Sequence, residues 1–413
     1  MSASNPALAA PSCGLGAHQV ALALALLLGL QPITTDLYLP ALPLLARDLA
    51  APMASVQLTM SALLLSFGMA QLIMGPLSDR FGRRPVLLGG LFLYSLASLG
   101  CVLAPSITTL IALRALQGAG LAAAVVCARA MVRDLYEPHQ GAQVMSRGLS
   151  GLGLIAFASP ALGGVLAAGQ GWRAALTAVT LAGIATGLWV WWRLPETLAV
   201  KRPDALRLGP WLAAMRTVSA HTGFRAWTAL SSFTYGGLFV LLAGSSFVYI
   251  GTLGLAPWAY GAVMAAGSLS YIAGTFACRR LLLRHGLLGT VWRGAFATAA
   301  GGLGMLALAL GGQKAVLPIV VAHWVYLFGH GIHQPCSQTA AVGAFPQMAG
   351  VASALSGFVL AAMAFLTGLW LGKAMDGSVL VLASGLCFFA LLTSLTAWTV
   401  VQRFGRLPGA PAP

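Results

Sequence analysis

The chain is a succession of long apolar runs, each about as long as a bilayer crossing, separated by short polar or basic segments. Runs such as Val20–Leu30 and Val86–Leu99 are almost unbroken, and a spanning helix needs about 20 mostly apolar residues. The pattern predicts twelve helices, at 18–43, 55–77, 85–104, 106–131, 146–168 and 173–193, then 225–250, 257–279, 288–311, 315–337, 350–373 and 378–401. Barrel strands would alternate apolar and polar residues over about ten positions, and these runs do not. Backbone groups in hydrocarbon must be satisfied within their own segment or around a closed barrel, so helices remain. The first run is not expected to be a removable signal: no Lys or Arg precedes it, it is too long, and it continues into Asp36 and Pro40 without a convincing small-residue cleavage site.

The longest interruption, 194–224, is charged, contains Pro195, Pro203 and Pro210, and separates two groups of six helices. Within it, Ala205–Ala220 fits a surface helix with Leu206, Leu208, Trp211, Leu212 and Met215 toward lipid, or a plain linker. Gly209–Pro210 opposes one straight helix. The expected organisation is an N-terminal segment 1–17, a bundle 18–193, a linker 194–224, a second bundle 225–401 and a tail 402–413. The groups echo each other weakly. Gly75-Pro-Leu-Ser-Asp79-Arg80-Phe-Gly82-Arg83-Arg84 follows the second helix, and Gly274-Thr-Phe-Ala-Cys-Arg279-Arg280 follows the eighth, about 199 residues later, as a duplicated six-helix unit predicts.

Composition narrows the class. Charged residues make up 8 % of the 413 and apolar residues 59 %, which excludes an ordinary soluble enzyme and a disordered chain. The 23 Lys+Arg against 8 Asp+Glu sit in short clusters between spans, so they read as orientation signals and not as a nucleic-acid surface. With a cytoplasmic N-terminus, 18 of the basic residues fall on the inner side, while Arg47, Arg173, Lys314 and Lys373 fall outside and Arg114 lies within a span. Both termini are therefore expected in the cytoplasm. Cys13, Cys101, Cys127, Cys278, Cys336 and Cys387 are isolated in sequence and read as small apolar residues. No metal site or cofactor is expected.

The strongest local signal is Gly75–Pro85. Gly75 suits close helix approach, Gly82 a tight turn, and Asp79 an arginine partner, with Arg80, Arg83 and Arg84 held at the inner surface. This loop resembles the signature loop of the major facilitator superfamily. Leu113-Arg114-Ala-Leu-Gln117-Gly118-Ala-Gly120 resembles the fourth-helix motif of that superfamily, and Ser159-Pro160-Ala-Leu-Gly163-Gly164 its fifth-helix antiporter motif, with Ser159 where a glycine is usual. Asp36-Leu-Tyr38-Leu-Pro40-Ala-Leu-Pro43, Trp172-Arg173, Leu194-Pro-Glu196-Thr197 and 349–358 are similar to the bicyclomycin-resistance (Bcr/CflA) branch of drug:proton antiporters. There Cys336 follows Pro335 where the branch often has Asn. The resemblance implies an all-α integral membrane fold of twelve helices, with two pseudo-symmetric six-helix bundles around a central cavity. It also implies multidrug efflux in a bacterial inner membrane, and a latch role for Asp79 and Arg80, aided by Gly75 and Gly82, in the outward-facing state. Pro160, Gly163 and Gly164 favour a bend and close packing suited to a hinge.

Two buried charges stand apart from any name. Asp36 lies inside the first span and Arg114 inside the fourth, and an ionisable side chain there costs roughly 2.5–3.5 kcal/mol on insertion scales. At matching depth in one bundle they are expected to face a shared cavity and to couple protons to transport, the alternative being a fixed helix-to-helix pair. Desolvation and a nearby guanidinium act oppositely on a carboxyl group, so conformation can tune its proton affinity. Arg114 stays charged. Mid-span polar and aromatic residues Tyr38, Gln117, Tyr235, Phe239, Trp324, Tyr326, His330 and His333 are candidates to line the cavity, where they suit hydrophobic or cationic compounds, or else to pack between helices or form an interfacial aromatic belt. His330 and His333, one turn apart, read as polar lining and not as zinc ligands.

The reading is proton-coupled efflux of drugs or other small amphipathic compounds by a monomer in lipid. The runner-up is a superfamily transporter of one metabolite or sugar. A membrane enzyme is disfavoured, since the chain has no HExxH, GxSxG or GxxxxGK[ST] and no loop able to hold a catalytic domain.

Overall fold

The computed structural model describes residues 16–313 and 315–406; Cys13, Lys314 and the tail beyond Arg406 lie outside them. Among the described residues there is no strand. Eleven helices are long and apolar enough to cross a bilayer, and one of them, α10, makes two crossings, giving twelve. The first half comprises α1 (Ala17–Thr35), a short α2 (Leu42–Asp48), α3 (Met53–Phe81), α4 (Arg83–Leu103), α5 (Ile107–Leu135), α6 (Pro138–Gln170) and α7 (Trp172–Arg193). A linker helix α8 (Leu208–Ala220) follows. The second half comprises α9 (Thr222–Ser246), α10 (Pro257–Leu310), α11 (Val316–Gly343), α12 (Ala349–Ala374) and α13 (Val379–Leu395), the last continuing to Phe404.

Local chemistry sets these boundaries. Pro138 and Pro257 open α6 and α10, where a missing N–H costs nothing. Ser106 caps α5 by accepting from Thr109 N at 3.3 Å, and Ser378 caps α13 by accepting from Val381 N at 3.3 Å. Helices α3 and α4 meet at Gly82, whose φ of 111° a side chain would resist. Gly286, at φ 62° and ψ −173°, is the single break between the two crossings of α10, so the loop expected there shrinks to one residue. The linker helix forms despite Gly209–Pro210, because both sit in its first turn, where proline removes no helical hydrogen bond.

Each half closes on itself through small residues. In the first, a Cβ on Gly118 of α5 would collide with the Leu63 carbonyl of α3. In the second, a Cβ on Gly274 of α10 would collide with the Phe328 carbonyl of α11. The cysteines are free and buried where described, but not all are isolated: Cys278 of α10 and Cys336 of α11 place their Sγ atoms 3.3 Å apart. Large exposed apolar side chains such as Phe92, Leu154, Trp192 and Leu283 are spread around the outside, where lipid solvates them.

The halves touch along two seams. In one, α6 crosses α10, with Gly164 against the backbone of Pro257 and Gly261 against the Pro160 carbonyl. In the other, α3 runs along α12, with Gly68 against Ala361 and the Ala54 backbone 3.1 Å from where a Gly372 Cβ would lie. Both seams lie in the middle and toward the end away from the linker. At the linker end the halves part.

Candidate functional site

Arg114 and Asp36 occupy different surroundings. Helix α1 ends at Thr35, and the chain turns through Asp36–Tyr38 into a 3₁₀ segment, Leu39–Ala41. A helix that ends inside a membrane leaves its last carbonyls short of donors. Arg114 supplies them, donating from Nη1 and Nη2 to the Thr34 carbonyl at 3.3 and 3.2 Å. Nη1 also donates to Gln117 Oε1 at 2.8 Å, and the guanidinium lies 4.5 Å from the Tyr38 ring centroid. Arg114 is 0 % exposed and lines neither cavity described below. No carboxylate forms an ion pair with it among the described residues. The expected shared cavity is therefore replaced by a clamp: Arg114 holds the backbone two residues before Asp36, with both of its terminal nitrogens engaged.

Asp36 faces the other half. Thr35 Oγ1 donates to its Oδ1 at 2.7 Å, and it lies within electrostatic reach of Tyr235 on α9 and Tyr260 on α10. Gly163 of α6 makes this approach possible, since a Cβ there would collide with the Leu37 carbonyl. Gly163 thus packs the helix break, while Gly164 and Pro160 form the crossing with α10. The carboxyl group sits at the junction of the two halves, beside the seam that closes the far end.

On the linker side of that junction is a chamber of about 320 Å³ between the halves, lined by Gln31, Leu64, Phe67, Gln71 and Arg129 from the first and by Tyr235, Gln334, Gln338 and Ser353 from the second. It shares Gln71, Arg129, Val342 and Ser353 with a vestibule of about 980 Å³ that reaches Asp79, Arg133, Arg202 and Trp211 at the linker end. Pockets for drug-sized molecules run from roughly 300 to 1,000 Å³.

Of the eight predicted lining residues, only Tyr235 lines the chamber. Tyr38 is buried with its hydroxyl 3.2 Å from Thr59 Oγ1, and Gln117 Nε2 donates to Ser98 Oγ at 2.6 Å. Phe239 packs against α12 at Gly368, and Trp324 Nε1 donates to the Val263 carbonyl at 3.1 Å. Tyr326 donates to the Thr234 carbonyl at 2.9 Å, His330 Nδ1 pairs with Thr234 Oγ1 at 3.0 Å, and His333 is buried beside Gly294. The hydrogen-bonded ones share a physical reason. A polar atom in mid-span without water takes its partner from the nearest helix of its own half. The residues that do line the cavity, Gln31, Gln71, Arg129, Gln334 and Gln338, were missed. For Arg129, Gln334 and Gln338 the signal is spacing: Gln334 with Gln338, and Arg129 with Arg133, lie four apart on one helix face.

The signature loop forms a network within the first half. Arg83 pairs with Asp79 and, at 2.9 Å, with Asp134 at the end of α5, and it donates to Ser78 Oγ at 2.6 Å. Glu196, beyond α7, accepts from the backbone N–H groups of Arg83 and Arg84 at 2.9 and 3.2 Å. Arg84 donates to the Trp191 carbonyl at 2.8 Å, and Arg80 lies over Phe81. Asp134 and Glu196 join this network from outside the loop, so its own spacing does not point to them. Gly75, expected in a close helix contact, faces the vestibule, with nothing within 4 Å of where its Cβ would be.

Residues 24–368 match the Major Facilitator Superfamily model. "Multidrug resistance protein D" of Escherichia coli is 32 % identical over 338 residues, covering 81 % of this chain and 84 % of that protein. The "Bicyclomycin resistance protein homolog" of Haemophilus influenzae is 28 % identical, covering 84 % and 87 %. Among solved structures, a D-xylose-proton symporter superposes with a TM-score of 0.77 at 14 % identity, covering 94 % of this chain and 99 % of that one. That last likeness is one of fold.

Proposed function

Because the chain belongs to the major facilitator superfamily, as a multi-pass transporter related to drug-resistance proteins, we propose that it exports drugs or other small amphipathic compounds across the bacterial inner membrane by proton-coupled alternating access. The excess of arginine at the linker end supports a cytoplasmic assignment for that end, so that the chamber loads from the cytoplasm.

Asp36 carries the reading. Seven of the 8 acidic residues sit at helix ends or in connections; Asp36 alone lies at the junction of the halves, at a helix break and, among the described residues, without an ion pair. In the state described, the α6–α10 and α3–α12 seams close the far side. When those seams part and the linker end closes, Asp36 takes a proton from the periplasm and substrate leaves. Return to the present state releases the proton inward. One charge moved through 100 mV supplies about 2.3 kcal/mol, near a fiftyfold concentration ratio. Arg114 serves as a positioning residue, holding the α1 end so that the carboxyl group stays within electrostatic reach of Tyr235 and Tyr260. Asp79, Arg80 and Arg83, with Gly75 and Gly82, form the latch that engages when the linker end closes. Pro160, Gly163 and Gly164 form the hinge at the far seam.

The test is chloramphenicol or bicyclomycin uptake into inverted vesicles with and without an imposed proton gradient. The gradient should drive accumulation in the wild-type protein, and Asp36→Asn should reduce it by the roughly fiftyfold ratio that one proton supplies. Normal gradient-driven accumulation by Asp36→Asn would defeat the assignment.

A further inference from the structure

The polar lining of the cavity is of one sign. The inner chamber contains no aspartate or glutamate, and its one charged residue is Arg129. The vestibule adds Arg83, Arg133 and Arg202 against Asp79 and Asp134, but both acids are ion-paired with Arg83. Among the described residues Arg129, Arg133 and Arg202 form no ion pair. We infer that the chamber selects amphipathic anions, gripping an acidic group of the substrate with Arg129 after it has passed Arg133. This rests on the transport reading above and narrows its substrate class, in the opposite sense to the cationic compounds that the aromatic content of the spans suggests.

Three observations set Arg129 apart from a residue that only orients the chain. Orientation needs positive charge in loops, whereas Arg129 lies within α5, six residues or about 9 Å before its end at 1.5 Å per residue, and it lines both compartments. Its guanidinium reaches across the gap between the halves, donating from Nη1 to Ser353 Oγ of α12 at 3.3 Å. That neutral contact leaves most of its donors open. Arg133, one turn further along the same face, lies with Nη1 3.8 Å from where a Gly350 Cβ would be, so both cations face the start of α12.

A guanidinium in a confined space binds a carboxylate, sulfonate or acidic phenol by paired charge-assisted hydrogen bonds, and repels a cation over the same distance. Gln71, Gln334 and Gln338 offer amides to the rest of a polar head, while Leu64, Phe67 and Leu360 receive an apolar body. Asp36 does not compete for this position. Arg129 lies fifteen residues beyond Arg114 on α5, some 22 Å along the helix, and Arg114 is bound to the backbone beside Asp36. The acid group and the proton therefore occupy separate sites.

Two xanthene dyes of similar shape and opposite charge test this directly: fluorescein as the anion and rhodamine 123 as the cation. Binding is read by fluorescence anisotropy to the purified protein in a neutral maltoside detergent, with empty micelles subtracted, and it needs no proton gradient. Fluorescein should bind about tenfold or more tighter than rhodamine 123, as a charge-assisted hydrogen bond predicts. Arg129→Gln should bring the two dissociation constants close together, Arg129→Gln with Arg133→Gln should remove the preference, and Arg129→Lys, which keeps the charge, should retain part of it. Equal or tighter rhodamine binding by the wild-type protein overturns the inference, as does a preference that survives the double change. Failure to bind either dye overturns it too, while the vesicle assay with chloramphenicol still decides the transport reading on its own.

Discussion

The two halves solve one structural problem with different chemistry. In each, the fourth helix reaches a mid-span carbonyl of the first: Arg114 of α5 donates to Thr34 on α1, and Tyr326 of α11 donates to Thr234 on α9. Helix α9 runs uninterrupted through Thr234 to Ser246, whereas α1 stops at Thr35. A neutral hydroxyl suffices where the helix continues. Where it breaks, a guanidinium with several donors replaces the lost helical bonds, and the break frees the next residue, Asp36, to face the other half. At the corresponding place about 199 residues later stands Tyr235, which lies within electrostatic reach of that carboxyl group across the junction. The first half has thus specialised for a charge, and the second for presenting neutral partners to it.

The comparison is broken most severely by removing the charged clamp. Arg114→Gln should destabilise the protein by about 3 kcal/mol, the upper range for a hydrogen-bonded charge with its partner left unsatisfied, read as a lowered melting temperature in detergent. It should also abolish gradient-driven accumulation, because the α1 end no longer places Asp36. Arg114→Lys should recover only part of the loss, since an ammonium cannot reproduce the forked contact with Thr34 and Gln117. Tyr326→Phe is the counterpart in the second half and should cost about 1 kcal/mol, an ordinary neutral hydrogen bond, with transport nearly unchanged. Equal penalties for the two clamps would show that the break in α1 places no special demand on Arg114.

How much of this was legible beforehand follows from the same chemistry. The spans were legible because lipid permits few alternatives to an apolar helix, and Asp36 and Arg114 stood out as charges inside such runs. The helices run up to two turns further at the linker end than the apolar runs suggest, as at 131 against Leu135, 146 against Pro138 and 337 against Gly343. There they meet the vestibule and not lipid, so apolarity does not mark their limits. Which way a mid-span polar group faces was not legible. Tyr38, Gln117, Tyr326 and His330 have partners inside their own halves, and nothing in a single run of residues distinguishes such a group from one lining water. Gln334 and Gln338 do line the chamber, and four-residue spacing on one face is the feature they share with Arg129 and Arg133. Glu196 stands in a segment similar to a family motif, but its role depends on the fold, which brings the end of α7 to the turn at Gly82.

The smallest expected effect separates the state described from the one the protein must visit. Gly75 and Gly274 occupy echoing positions, yet only Gly274 is packed against backbone, at Phe328, while Gly75 faces open vestibule. Gly274→Ala should therefore cost roughly 1–3 kcal/mol from overpacking. Gly75→Ala, in the interior of α3 with room for a methyl group, should raise stability by about 0.5–1 kcal/mol through helix propensity. If the linker end closes by bringing α3 against the second half, that same methyl group obstructs the closed state. Gly75→Ala should then melt at a higher temperature but export more slowly, with substrate affinity measured in detergent unchanged. A variant that is both more stable and fully active would mean that Gly75 stays open to water throughout the cycle, and that the latch closes through Asp79 and Arg80 without close approach at this glycine.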